Sequence, residues 1–138
     1  MDKILNIGRY LFPLSFLIYV GLHLGKPEVG AAFVPDYIPF PLFWSYFTMV
    51  CIILFIISAI IGKYDKLAYT LMALYVLLMA LLVHLPRSMG NEIEMAMMTE
   101  AMAREMELEM INVFRNIMVM GALLGYARYV ATDKRIIG

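Results

Sequence analysis

Residues 40–62 read FPLFWSYFTMVCIILFIISAIIG and contain no charged side chain. A helix needs about 20 consecutive apolar residues to cross the hydrocarbon core of a bilayer, so this stretch predicts a transmembrane helix. Three further windows share its apolar character: residues 8–25, 67–85 and 110–130. The last window is less pure, because it also contains Arg115 and Arg128. The sequence therefore predicts a single all-α membrane domain, an antiparallel bundle of four transmembrane helices.

The composition of the whole chain agrees with this prediction. Of its 138 residues, 63% are hydrophobic and 16% are charged, and the mean hydropathy is +0.81. A water-soluble domain of this size would expose apolar patches that water does not tolerate. The formal net charge is +0, so no nucleic-acid partner is expected. The single cysteine, Cys51, excludes an internal disulfide and a two-cysteine redox centre.

Lysine and arginine predict the orientation of the chain. The N-terminus, the turn at residues 63–66 and the C-terminus hold seven of them: Lys3, Arg9, Lys63, Lys66, Arg128, Lys134 and Arg135. The other two connections hold four: Lys26, Arg87, Arg104 and Arg115. Because basic residues favour the cytoplasmic side, both termini are expected in the cytoplasm, with the protein in a bacterial-type inner membrane.

The two connections on the outer side differ in character. Residues 26–39 contain three prolines around an apolar piece, which predicts a short interfacial segment after the first span. Residues 91–110 read NEIEMAMMTEAMAREMELEM, with methionines every four residues from Met98 to Met110. This spacing predicts an amphipathic helix that runs into the fourth span.

The methionine-rich segment allows two interpretations. Its flexible thioethers could cover the outer mouth of the bundle and pack against lipid or protein. Alternatively, Met95, Met98 and Met102 could converge on a Cu(I) ion, which prefers soft sulfur ligands. No histidine or cysteine lies in the segment to strengthen the copper interpretation.

Polar side chains gather near the outer ends of all four spans. They are Tyr19, His23, Trp44, Tyr46, His84, Arg87, Asn112, Arg115 and Asn116. Ionisable groups at membrane depth are costly, so each one suggests a functional site. If these side chains point inward, they line an outward-facing pocket in which arginine and histidine contact the oxygens of a ligand. The two aromatic residues of the second span would pack against that ligand.

Other interpretations of the same residues stay open. Arg115 could extend to the membrane surface, with a lipid phosphate or one of three carboxylates as its partner: Glu28, Asp36 or Glu109. The histidines could bond to backbone carbonyls. His23 and His84 lie at matching depth on different helices, so they could also hold a haem between them.

Several short motifs resemble those of the DoxX family of four-helix bacterial membrane proteins. They are GLH at 21–23, VPDYIP at 34–39, FWSYFT at 43–48, HLPR at 84–87, FRN at 114–116 and GALL at 121–124. The resemblance covers residues 8–130 and implies the same fold. The family takes its name from a subunit of an archaeal thiosulfate:quinone oxidoreductase, which implies a link to membrane redox systems. The chain differs in its long Glu/Met segment, and its single cysteine excludes any activity based on a cysteine pair.

Three functions remain open from the sequence. The first is an accessory or subunit of a membrane oxidoreductase system that binds a quinone-like or lipid ligand in the outward-facing pocket. The second is a structural subunit or assembly factor that packs against a larger membrane complex or a second copy of itself. The third is an enzyme in which a histidine moves protons during redox chemistry at a quinone.

Overall fold

The computed structural model of the chain describes residues 2–133 and 135–137, and every regular element within these ranges is a helix. Four segments are long and apolar enough to cross a membrane: Asn6–Gly25, Pro41–Ile61, Asp65–Ala96 and Glu100–Tyr129. The prediction of an all-α protein with four such helices is confirmed. Lys134, which contributed to the predicted orientation, lies outside the described residues, as does the side chain of Lys3.

The first span consists of two helices, α1 (Asp2–Ser15) and α2 (Leu17–Gly25). Pro13 lies inside α1 and has no backbone N–H, and the chain tightens after it, with the N–H of Phe16 donating to the carbonyl of Pro13 at 3.2 Å. A proline of this kind is a recognised cause of helix kinks. The break places Phe16 in the core, where its ring meets that of Phe55 edge-on at 5.1 Å.

The short helix α3 (Pro27–Ala31) follows the first span, as predicted, and leads to α4 (Pro41–Ile61). A tight turn then connects α4 to α5 (Asp65–Met79). Gly62 ends α4 with φ of 73°, a left-handed conformation that glycine adopts without steric cost. The hydroxyl of Ser58 donates to the carbonyl of Lys63 and closes the turn.

The third span changes its winding before it ends. A π-helical turn, Ala80–His84, follows α5 and is followed by α6 (Leu85–Met89). The N–H of Leu85 reaches back to the carbonyl of Ala80, five residues earlier. Pro86 has no N–H to donate to the preceding turn, which favours such a local widening. The helix runs past its predicted end at residue 85.

The methionine-rich segment forms two helices instead of the single one expected, namely α7 (Glu92–Ala96) and α8 (Glu100–Tyr129). Asn91 caps α7 in a reciprocal pair with Glu94, and the side chain of Thr99 caps α8 by accepting from the N–H of Met102. Each cap starts a new helix. The prediction that the segment continues into the fourth span is correct for α8 alone.

The core is formed by apolar side chains of the four spans. It contains Phe16, Ile52, Phe55, Ile56, Ala59, Tyr69, Met72, Ala73, Val76, Leu123 and Ala127. The rest of each span is mostly exposed, because only 11% to 39% of the residues in its most apolar window are buried inside the chain. Apolar helix faces of this extent fit a lipid solvent better than water.

The two ends of the bundle carry different polar clusters. We call one the tail end; it contains Gly8, Gly62, Asp65, Tyr126 and Thr132. We call the other the loop end; it contains His23, Ser45, His84 and Glu109. At the tail end the hydroxyl of Tyr126 donates to the carbonyl of Gly8 at 2.9 Å, which joins α8 to α1.

Asp65 fixes the C-terminal residues at the tail end. Its carboxylate is 1% exposed and accepts from the N–H groups of Thr132 at 2.7 Å, Asp133 at 2.9 Å and Lys66 at 2.8 Å. The hydroxyl of Thr132 adds a fourth bond at 3.0 Å. A buried carboxylate is tolerated when its lone pairs are satisfied in this way.

Asp133 adds a second contact between the C-terminal residues and the turn after α4. Its carboxylate accepts from the N–H of Tyr64 at 2.7 Å and pairs with the guanidinium of Arg135 at 2.6 Å. The hydrogen bonds from Arg135, together with that from Tyr64, hold the pKa of Asp133 well below its usual range.

Candidate functional site

Helix α3 is clamped onto the loop end by very close packing. The hydroxyl of Ser45 on α4 donates to the carbonyl of Pro27 at 3.0 Å. Gly30 lies so close to Ser45 and to the imidazole of His23 that a β-carbon at Gly30 would overlap both. Glycine is therefore required at this position to let α3 approach α2 and α4.

The hydrogen bonds of Ser45 determine the tautomer of His23. The Nδ1 atom of His23 lies 2.9 Å from the hydroxyl oxygen of Ser45. Since the only proton of that hydroxyl goes to Pro27, a neutral His23 must donate from Nδ1 and keep Nε2 unprotonated. A nucleophilic serine needs the opposite arrangement, with its proton passed to the histidine. With these bonds the pair holds α3 against α2 and α4.

A second histidine forms a pair with a carboxylate. His84 is 7% exposed, and its Nδ1 lies 2.6 Å from an oxygen of Glu109 on α8. Asn112 donates to the same oxygen at 3.3 Å. On its other oxygen, Glu109 lies 3.8 Å from Nε of Arg87. One carboxylate thus joins the π-helical turn, α6 and α8.

Arg87 connects this cluster to the segment after α3. Its guanidinium lies over the ring of Phe33, 4.9 Å from the centroid, and Nη1 donates to the carbonyl of Ala32 at 3.3 Å. A guanidinium over an aromatic face is attracted by the ring electrons. Contacts on two sides hold the charged end of Arg87 while about half of its side chain stays exposed.

A groove of about 510 Å³ opens beside Arg87. Residues 32–37 form one wall, and the other wall consists of Leu81, Leu82, Val83, Pro86 and Arg87. Leu81 and Leu82 are 45% and 52% exposed, so the groove opens sideways along the third span. Its volume lies within the range of small-molecule sites, and its lining combines apolar side chains with two charged ones, the cation of Arg87 and the carboxylate of Asp36.

The aromatic residues predicted for the site lie elsewhere. The indole of Trp44 donates to the carbonyl of Pro39 at 3.1 Å and packs against the rings of Phe43 and Phe47 at the start of α4. Tyr19 and Tyr46 are exposed on their own helices. These three residues do not line the groove.

Arg115 also lies outside the cluster. It is exposed on α8, and within the described part of the chain it forms no hydrogen bond or ion pair. Glu109, one of its three suggested partners, is bound to His84 and Arg87 instead. Asn112 donates to Glu109, one turn earlier on the same helix, and Asn116 is half-buried.

The structure thus brings together His84, Arg87 and Asn112 of the predicted set, with Glu109 as the residue that unites them. The sequence offered one signal for Glu109, namely a carboxylate just before the fourth span at the depth of a histidine. His23 lies on the other flank of the α3 segment. Gly30 packs against His23, whereas the ring centroid of Phe33 lies 6.0 Å from that of His84.

The proposed metal ligands are placed on separate elements. Met95 belongs to α7 and Met102 to α8, while Met98 lies in the break between them. Among the described residues, no group of three or more His, Cys, Asp or Glu side chains is arranged to hold a metal ion. Copper binding by methionine and haem binding by the two histidines stay predictions.

No family model matches the chain, and searches of curated proteins and of solved structures find no protein similar to it. The resemblance to the DoxX family therefore depends on the sequence motifs alone.

Proposed function

We propose that this chain binds an amphipathic molecule, a quinone or a lipid, in the groove at the loop end. In this proposal it is a four-span protein of the bacterial inner membrane with antiparallel helices and cytoplasmic termini, so the groove faces outward. It acts as an accessory or subunit of a membrane oxidoreductase system. The link to redox chemistry comes from the resemblance to the DoxX family.

The observation that carries the proposal is the composition of the groove. Leu81, Leu82 and Val83 provide an apolar wall, and Arg87 provides a cation; Asp36, on the other wall, adds a carboxylate. A molecule with an apolar tail and an oxygen-bearing head matches both parts, because the tail leaves water while the head accepts from the guanidinium.

Arg87 has hydrogen-bond donors to spare for such a ligand. A guanidinium carries five N–H groups, and the contacts with Glu109 and Ala32 involve Nε and Nη1. The remaining N–H groups can meet a quinone carbonyl or a phosphate oxygen. Because Phe33 and Glu109 already hold the guanidinium, little side-chain entropy is lost on binding.

The test is ligand retention in two matched variants. Arg87→Met keeps the length of the apolar stem but removes every donor, so we expect the co-purified quinone or lipid to fall at least about tenfold. Arg115→Met removes a similar exposed cation outside the groove and should leave retention unchanged. The protein is purified from its native membranes, and the extracted small molecules are quantified by mass spectrometry.

Two results would reject the proposal. One is equal ligand content in the wild type and both variants; the other is a loss caused by Arg115→Met alone. A partner protein that co-purifies while no quinone or lipid is retained in the groove would favour the structural-subunit alternative. An absorbance spectrum and a metal analysis of the same sample test haem and copper.

A further inference from the structure

The end of α6, helix α7 and the break before α8 expose five large apolar side chains. We call them the methionine surface: Met89, Ile93, Met95, Met97 and Met98. Met97 is 65% exposed and Ile93 is 68% exposed. The chain breaks at Gly90, with φ of 64°, and again before Thr99, so this surface projects from the loop end on the short helix α7.

Acidic residues are interspersed with and follow the methionine surface in the sequence. Residues 91–109 contain six glutamates and a single basic residue, Arg104. Glu94 caps α7 and Glu109 pairs with His84. The other four are exposed and form no hydrogen bond or ion pair in the part of the chain that the structure describes: Glu92, Glu100, Glu105 and Glu107.

The same acidic residues share one face of α8 with an exposed leucine. This face is formed by Glu100, Ala101, Arg104, Glu105 and Leu108. Leu108 is more than half exposed, so this face offers an apolar contact near two carboxylates. The acidic start of α8 thus combines carboxylates with an exposed apolar side chain, as α7 does, and also carries Arg104.

This combination favours a protein partner over a lipid surface. A membrane with anionic lipids would repel the glutamates, whereas a basic helix would attract them. Methionine side chains are flexible and polarizable, so they adapt to the shape of an apolar partner. An amphipathic helix with an apolar stripe and flanking lysines or arginines satisfies both requirements at once.

We infer that the methionine surface and the acidic start of α8 bind a basic amphipathic helix of a partner protein. The inference is independent of the ligand groove, since it involves none of the residues that line it. It gives a role to the Glu/Met segment, which the proposed ligand binding does not use.

The probe is a synthetic amphipathic helix of about 18 leucines and lysines, long enough for five turns. The full chain is placed in nanodiscs of phosphatidylcholine, and empty nanodiscs provide the background, because such peptides also bind lipid. We expect saturable binding above this background that weakens at least about tenfold between roughly 0.05 M and 0.5 M NaCl. A peptide with glutamate in place of lysine should not bind.

Two sets of substitutions separate the charge from the apolar contact. Glu92→Gln, Glu105→Gln and Glu107→Gln together should weaken peptide binding about tenfold, and Met95→Ser, Met97→Ser and Met98→Ser together should do the same. Glu94 and Glu109 are left in place, since both hold the local structure. The matched controls Glu28→Gln and Ile136→Ser change an exposed carboxylate and an exposed apolar residue elsewhere, and should leave binding unchanged.

Unaltered helical circular dichroism will show that the variants fold. The inference is overturned if the folded variants bind the lysine peptide as the wild type does, or if the glutamate peptide binds equally well. It is also overturned if the wild type, but not the methionine variant, binds anionic phosphatidylglycerol vesicles in preference to the lysine peptide. That result would assign the surface to lipid.

Discussion

At the scale of single residues, the loop end depends on Glu109. One oxygen of its carboxylate lies 2.6 Å from Nδ1 of His84 and 3.3 Å from the amide nitrogen of Asn112. The other oxygen faces the guanidinium of Arg87 and balances its charge. The Glu109 side chain is largely buried, and its carboxylate is tolerated there because hydrogen-bond partners replace the water that it loses. Removing its charge should leave the imidazole and the guanidinium with weaker partners, although the shape of the side chain is kept.

Glu109→Gln should therefore destabilise the folded chain by about 1–3 kcal/mol, since hydrogen bonds to a charged group are weakened and buried donors lose their best acceptor. Thermal unfolding in detergent measures the change. Glu107→Gln is the control, because Glu107 is exposed and its loss should alter stability by no more than about 0.5 kcal/mol. Equal melting temperatures for the two variants would show that the cluster contributes nothing to stability.

At the scale of elements, α3 determines the shape of the loop end. It is too short to be stable alone, so it depends on Ser45, on the imidazole of His23 and on the close approach at Gly30. The residues that follow it form one wall of the ligand groove. The position of α3 therefore controls the width of the groove.

Gly30→Ala should displace α3, because the added methyl group overlaps two side chains that are themselves hydrogen-bonded to each other. Overpacking of this kind costs about 1–3 kcal/mol, and proteolysis at Lys26 should become faster. Gly121→Ala adds the same methyl group on α8 where no atom lies within 4 Å. It should be neutral or stabilise the chain by up to about 1 kcal/mol. Equal stability and equal proteolysis rates of the two variants would contradict the close packing of α3 against His23 and Ser45.

At the scale of the whole molecule, the exposed apolar faces and the charged ends suit a bilayer. The tail end joins α1, the turn between α4 and α5 and the residues after α8, and most basic residues of the sequence belong to these segments. This arrangement agrees with the proposed orientation, in which the tail end is cytoplasmic.

Reporter tags at the two termini should accordingly both report the cytoplasm, and a tag inserted at residue 97 should report the opposite side. Alkaline phosphatase and green fluorescent protein fusions measure this in living bacteria. Termini on opposite sides would remove the basis for an outward-facing groove, because the loop end could no longer be assigned to one face.

The local sequence was sufficient to predict the four long helices, but the break between α7 and α8, which is also a local feature, was not predicted. The four apolar windows predicted the four long helices, since preference for an apolar solvent adds up along neighbouring residues. The break at Met97–Thr99 was missed, although Asn91 with Glu94 and Thr99 carry ordinary helix-capping signals. Strong helix formers and regular methionine spacing concealed those caps.

The sequence predicted at which level along the helices the site residues lie, but not which of their side chains meet each other. The sequence placed Arg115, Asn112 and His84 near one level, yet Arg115 is exposed while Asn112 joins the cluster through Glu109, which binds His84. Which side of a helix meets a neighbour depends on its rotation within the bundle, and the π-helical turn at Ala80–His84 shifts that rotation just before Arg87.

The sequence by itself determined that this protein forms four long apolar helices with polar groups gathered near their ends, because hydropathy and charge belong to residues in chain order. Only the tertiary structure decided that Glu109 binds His84, 25 positions away, and that Arg87 borders a groove. Those contacts depend on how packing rotates separate helices against each other, which no local stretch of chain specifies.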